Sequence, residues 1–303
     1  MTDPTFQAST ALDTDGPPAA ALVSNLSSLG GETLALYDWS LPVTAPSRGT
    51  VLLVHGLGEY MGRYAHVAAH LNSWGFAVRG YDHFGHGRSS GARGGLPTDN
   101  RLLDDLAHVI TNTRAQMPAN TPLILLGHSM GGGVVGRFVS LHPAQVDALV
   151  MSSPALDAGL NAFQKFLLAL LPRMAPNLRI GNGLEPQYLC HDATVVSAYL
   201  ADPLVHDRIS ARLARFIATA GAATIQAAAQ WQTPTLLMFA GQDKLVAPAG
   251  SRAFAAGAPP CVNAHGFAHM YHEIFNEPDQ ARVFAHLKTW LDLQCPATVL
   301  HLP

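Results

Sequence analysis

Leu123-Ile124-Leu125-Leu126-Gly127-His128-Ser129-Met130-Gly131-Gly132-Gly133 is the stretch on which the reading of this chain turns. Its four leading apolar residues suit a strand buried on both faces. Gly127 to Gly132 then fits G-x-S-x-G, in which a serine sits on a sharp turn between a buried strand and a helix. Small residues are needed there because the turn is tight and strand and helix approach closely. The following Gly132 to Val139 reads as a packed helix, so the strand–turn–helix context is present. Ser129 is the candidate nucleophile.

The same alternation extends on both sides. Upstream, Thr33 to Trp39 alternates like an early antiparallel strand, and Val51-Leu52-Leu53-Val54 is a buried run. A helix is expected from about Arg63 to Trp74, a strand at Phe76 to Tyr81, and a helix from about Asn100 to Gln116. Downstream, Ala148 to Met151 is a further strand, Thr235 to Phe239 another, and a closing helix runs from about Asp279 to Leu291. Strands alternating with helices in this way predict an α/β fold with a mostly parallel sheet covered on both faces. Between about Pro154 and Gln232 the alternation stops. That stretch has apolar helical patterns, at Leu160 to Leu171 and from Ile209 to Ala229 with a break at Gly221, but no convincing strand. The expectation is a helical cap, inserted after the sixth strand and laid over the carboxyl ends of the sheet, where ligands bind in open α/β folds. Residues 1–22 then form a leader, 23–153 with 233–303 the core, and 154–232 the cap.

Bulk properties narrow the function. The 303 residues suffice for one large core. The net charge of −3, without a basic stripe, argues against a nucleic-acid partner. Charged residues are only 13%, against roughly 25% in typical globular proteins, which suits a weakly charged surface. Cys190, Cys261 and Cys295 are an odd number, widely spaced, without a C-x-x-C metal or redox pattern. The first 20 residues have Asp3, Asp13 and Asp15 in place of a basic n-region and apolar core, so they do not read as a secretory signal. A cytoplasmic protein is the expectation.

A serine hydroxyl needs a base, and the base an orienting acid. Asp243, in a Gly-containing loop just past the strand Thr235 to Phe239, is the favoured acid, ahead of Asp202, Asp207 and Asp279. His265, His269 and His272 compete as the base. Their spacing alone resembles metal ligation, but Gly266 intervenes and no further ligand cluster supports a metal.

Longer strings now bear on the choice. His55-Gly56-Leu57-Gly58-Glu59 with Arg63-Tyr64, Tyr81-Asp82-His83-Phe84-Gly85-His86-Gly87-Arg88-Ser89, Gly127 to Gly132, and Tyr271-His272-Glu273 with Asn276-Glu277 occur in this order. Together they resemble the segments of monoacylglycerol lipases and related lysophospholipase-like serine hydrolases, of the α/β-hydrolase fold. Ala201 to His206 is similar to a cap segment of bacterial members. The resemblance runs from about residue 31 to 292. It implies a Ser129–His272–Asp243 triad, with backbone N–H groups of Leu57 and Met130 as the oxyanion hole. It also implies an ester or lipid-like substrate, an acyl-enzyme, a lid, no metal or organic cofactor, and transient contact of the cap with a membrane surface. His55, His83 and His86 read as structural, and Glu59 and Arg63 as loop scaffold. A lysophospholipase or general carboxylesterase would use the same triad. An aminopeptidase would need acidic cap residues, for which Glu185 and Asp192 are available, and a ligand receptor without turnover is a further alternative. Acyl length, head group and oligomeric state are left open by the sequence.

Overall fold

The computed structural model describes residues 20–296 apart from 29, 158 and 160–170. Eight strands form one sheet in the order β1-β2-β4-β3-β5-β6-β9-β10. They are β1 (Leu22–Ser27), β2 (Thr33–Trp39), β3 (Gly49–Val54), β4 (Phe76–Tyr81), β5 (Leu123–His128), β6 (Ala148–Ser152), β9 (Thr235–Ala240) and β10 (Val262–Phe267). β1 and β2 pair antiparallel, as do β2 and β4, and the other pairings are parallel. The helices are α1 (Ala65–Ser73), α2 (Arg101–Arg114), α3 (Met130–Leu141), α4 (Ala193–Ala201), α5 (Ala211–Gln226), α6 (Pro248–Gly257) and α7 (Gln280–Gln294).

Period-two side-chain direction explains why the central strands are apolar throughout. Leu52, Val54, Leu125, Leu149, Met151 and Leu237 face one side, against α2, α3, α5 and α6. Val51, Leu53, Ile124, Leu126, Val150 and Met238 face the other, against α1 and α7. The register aligns Val54 with Gly127, Gly127 with Met151, and Met151 with Leu237. The loops leaving β3, β5, β6 and β9 therefore emerge along a single edge.

Four features depart from the sequence reading. Between residues 154 and 232, β7 (Arg179–Gly181) and β8 (Arg208–Ser210) form an antiparallel pair, so that region is not purely helical. Three-residue strands lie below the length at which alternation can be recognised. β10 was not anticipated as a strand either. It pairs with β9 alone, and its exposed Asn263, Ala264 and Gly266 give no apolar run. Likewise β1 begins at Leu22, inside the expected leader, as a mostly exposed edge strand.

α5 also continues through Gly221 instead of breaking there. A Cβ at Gly221 would lie 2.5 Å from the Leu156 carbonyl oxygen. This glycine serves close helix packing rather than an interruption. The expected helix Leu160 to Leu171 lies outside the described residues except at Leu171, which belongs to a helical turn at 171–174.

Candidate active site

The turn after β5 carries Ser129 at φ 54°, ψ −121°, a conformation costing a non-glycine residue about 1–3 kcal/mol. Its own backbone bonds hold it: the Ser129 N–H donates to the Ser152 carbonyl at 3.0 Å, and its carbonyl accepts from Gly133 and Ala155 at 3.1 and 2.8 Å. A side chain at Gly131 would collide with the Val54 carbonyl, so the turn needs glycine there to sit against β3. His128 and Met130, on either side, are buried, while Ser129 keeps partial access. Met130 opens α3, so its N–H lies in the first turn, where no intrahelical acceptor exists. Leu57, in the loop after β3, lines the same cavity as Ser129 and Met130.

Asp243 and His272 meet across the loops after β9 and β10. His272 Nδ1 and Asp243 Oδ2 are 2.7 Å apart, and both side chains are almost fully buried. Asp243 Oδ1 accepts from the N–H groups of Leu245 and Val246 at 2.8 and 3.0 Å. Burial disfavours the Asp243 carboxylate, but His272 and these two donors outweigh it and hold its pKa below the usual value. For His272, burial works against the imidazolium, yet Asp243, then Glu273 and Glu59, outweigh it and raise the pKa. His128 packs against it, ring centroids 4.8 Å apart. Burial, reinforced by His272, pushes His128 down to about 3, so it adds no competing charge at neutral pH.

The rival residues lie elsewhere. His265, on β10, stacks on His286 at 3.8 Å, and His269 is exposed. Asp202 accepts from Tyr60 Oη at 2.8 Å, Asp207 pairs with Arg208, and Asp279 sits at the start of α7. His55, His83 and His86 are fully buried, and His55 Nε2 accepts the His83 N–H at 2.9 Å. Among the described residues no group of three or more His, Cys, Asp or Glu is placed to hold a metal.

Over Ser129 lies a cavity of about 380 Å³. Its walls include Leu57, Met130 and Val246 from the segments around the sheet and Leu178, Ile180 and Ile217 from segment 154–232. Among the described residues no charged side chain lines it, and the polar ones there are Ser129, Asn182 and Ser210. Ser210 Oγ accepts from the Leu213 N–H as the cap of α5. Asn182 Oδ1 accepts from the Leu184 N–H at 3.0 Å, which fixes the amide so that its NH₂ is the free end. Sequence reasoning missed Asn182, since a lone Asn after an unrecognised strand carries no signal. It also missed roles for Glu273 and Glu277, although both lie in a quoted string. Glu277 accepts from the Tyr271 N–H at 2.6 Å and bonds His191, bracing the His272 loop.

A family profile described as serine aminopeptidase, S33, matches residues 45–279. A monoacylglycerol lipase of Mycolicibacterium smegmatis is 36% identical over 265 residues, covering 86% of this chain and 94% of that protein. The chain belongs to the monoacylglycerol lipase-like α/β-hydrolases. A phospholipase of Bacillus subtilis is 30% identical over 251 residues, covering 80% of this hydrolase and 94% of that protein. The crystal structure of a Paleococcus ferrophilus monoacylglycerol lipase superposes with a TM-score of 0.78 at 32% identity, covering 86% of this hydrolase and 99% of that chain. Neither acidic residue that the sequence offered as an anchor for a peptide's amine faces the cavity. Glu185 is exposed and bonded by Gln187, Asp192 caps α4 through Thr194, and neither lines the cavity.

Proposed function

We propose that this hydrolase cleaves a monoacylglycerol or similar lipid-like ester through Ser129, His272 and Asp243. The observation that carries the reading is the largely apolar cavity directly over Ser129, whose described lining residues carry no charge. An acyl chain gains roughly 0.8 kcal/mol per buried CH₂ in such a space, whereas a peptide's ammonium group would find no counter-charge among those residues. Ser129 attacks the ester carbonyl as His272 takes its proton, and Asp243 holds the imidazole tautomer and favours the imidazolium. The Met130 and Leu57 N–H groups receive the oxyanion, each donor worth about 3–4 kcal/mol in the transition state. His272 then protonates the leaving alcohol and activates the water that releases the acid. Asn182 offers its NH₂ to hydroxyls of the leaving group. Residues 23–153 with 233–303 serve as the catalytic core and 154–232 as the cap. Exposed Met174, Leu178 and Ile180 favour transient contact of the cap with a membrane surface, and the action is assigned to the cytoplasm. Among the described residues no helix is long and apolar enough to cross a membrane.

The test is turnover of p-nitrophenyl esters from acetate to palmitate, then of monoacylglycerol, lysophosphatidylcholine and an aminoacyl p-nitroanilide, with Ser129→Ala alongside. Preference for medium or long acyl chains, lost in the variant, is expected. Faster lysophosphatidylcholine hydrolysis would favour the phospholipase reading, which the Bacillus relative supports. Hydrolysis of the anilide alone would overturn the ester reading.

A further inference from the structure

Beside the triad lies a buried ion cluster that the reaction above does not use. Arg63, in the short turn before α1, directs Nη1 to Glu273 Oε1 at 2.7 Å and Nη2 to Glu273 Oε2 at 2.8 Å. The same Nη1 reaches Glu59 Oε2 at 2.6 Å. Glu59 Oε1 in turn accepts from the Gly56 N–H at 2.6 Å and from Tyr64 Oη at 2.7 Å. Gly56 is the neighbour of Leu57, and Glu273 the neighbour of His272. One guanidinium thus joins the loop carrying an oxyanion donor to the loop carrying the base. Glu273 is anchored further by Asn276 Nδ2 at 2.7 Å and by its N–H to the cap carbonyl of Leu189 at 2.7 Å. Arg63 also lies over the ring of Tyr199 in α4, 4.9 Å from its centroid. Two nearly buried carboxylates face one cation, an arrangement costly to break because it would strand a buried charge.

We infer that Arg63 is a positioning residue whose planar fork fixes the spacing between the Leu57 oxyanion donor and His272. Lysine supplies the charge but not the paired, coplanar donors that hold two carboxylates at once. The inference rests on the Ser129–His272–Asp243 reading. The two carboxylates of the cluster also contribute to the field at His272, which is faced by Asp243 from the loop after β9, His128 from β5, Glu273 beside it, and Glu59 from the segment after β3. Burial raises and Arg63 lowers the Glu273 pKa, which settles at about 2, so Glu273 is an anion throughout the working range.

The experiment compares wild type, Arg63→Gln, Arg63→Lys and Glu273→Gln on p-nitrophenyl butyrate across pH, with thermal melts and the affinity of a phenylboronic acid as a tetrahedral mimic. Misplacing reacting groups by about 1 Å costs roughly 100-fold. Arg63→Gln is expected to lose about that much in kcat with KM nearly unchanged, and to bind the boronic acid correspondingly less well. Arg63→Lys should recover only part of the loss. Glu273→Gln removes a negative charge beside His272 and should move the acid limb of kcat/KM to lower pH. A loss carried by KM would make Arg63 a substrate contact and overturn the inference. Unchanged kcat, unchanged boronic acid affinity, or an unmoved acid limb in Glu273→Gln would overturn it as well. If Arg63→Gln does not fold, Arg63→Lys and Glu273→Gln decide alone. Activity surviving in Ser129→Ala would instead sink the triad on which the inference stands.

Discussion

The carboxyl edge of the sheet and the described part of segment 154–232, the proposed cap, are built on opposite terms. At the edge the candidate site residues are held by short bonds from backbone partners, Ser129 by Ser152 and Gly133 and Asp243 by Leu245 and Val246, and the neighbouring Glu59 is held by Gly56. In segment 154–232 the sheet found among the described residues has three-residue strands, and Met174, Leu178, Ile180 and Leu200 are half or more exposed. The edge tolerates little displacement, because catalysis depends on geometry held to fractions of an ångström. The cap can vary, because an apolar wall recognises a chain by area and not by angle. On the proposed reading, chemistry belongs to the edge and selectivity to the cap.

The hardest test of that division is Ser129→Ala, expected to remove roughly 10⁴–10⁶ of kcat while leaving the melting temperature near that of wild type. Retained turnover would place the chemistry elsewhere. Next comes Asp243→Asn, for which a fall of about 10⁴ in kcat is expected, because the amide favours the wrong tautomer of His272. In the cap, Ile180→Asp should raise KM for palmitate esters roughly tenfold or more and barely touch acetate esters, since a carboxylate would replace apolar wall. Equal losses on both would erase the distinction between the two regions. The smallest effect belongs to Asn182→Leu, expected to slow glyceryl esters a few-fold against methyl esters of the same acid, as loss of about one hydrogen bond allows.

The pH profile sharpens the edge half of the comparison. His272 must be neutral to act as base, and its pKa in the folded protein is raised above 6.5. kcat/KM should therefore climb through an acid limb with its midpoint above that value. The linked stability has the opposite trend: the contribution of His272 is fully present below its unfolded pKa and is lost as pH rises through the folded one, while that of Asp243, whose folded pKa is lowered, is lost only as pH falls through it in acid. Urea unfolding at several pH values checks the sign.

How far the sequence carried the reading follows the same boundary. The core strands were legible because burial on both faces demands continuous apolar runs, as in Val51 to Val54 and Leu123 to Leu126. β10 and the β7–β8 pair were not, because an edge strand or a three-residue strand needs no such run. Among the three competing histidines the residues alone left the choice open. The resemblance pointed to His272, and the fold places it on Asp243 while His265 turns to His286.

By itself, the sequence determined the parallel sheet, the turn at Ser129 and the loop that carries Asp243, because local sterics and burial write those patterns into adjacent residues. Only the tertiary structure decided which histidine meets Asp243, that Arg63 joins loops 210 residues apart, and that the described residues lining the cavity over Ser129 carry no charge. Those are contacts between distant segments, and no local periodicity encodes a pairing that forms only when strands settle into register.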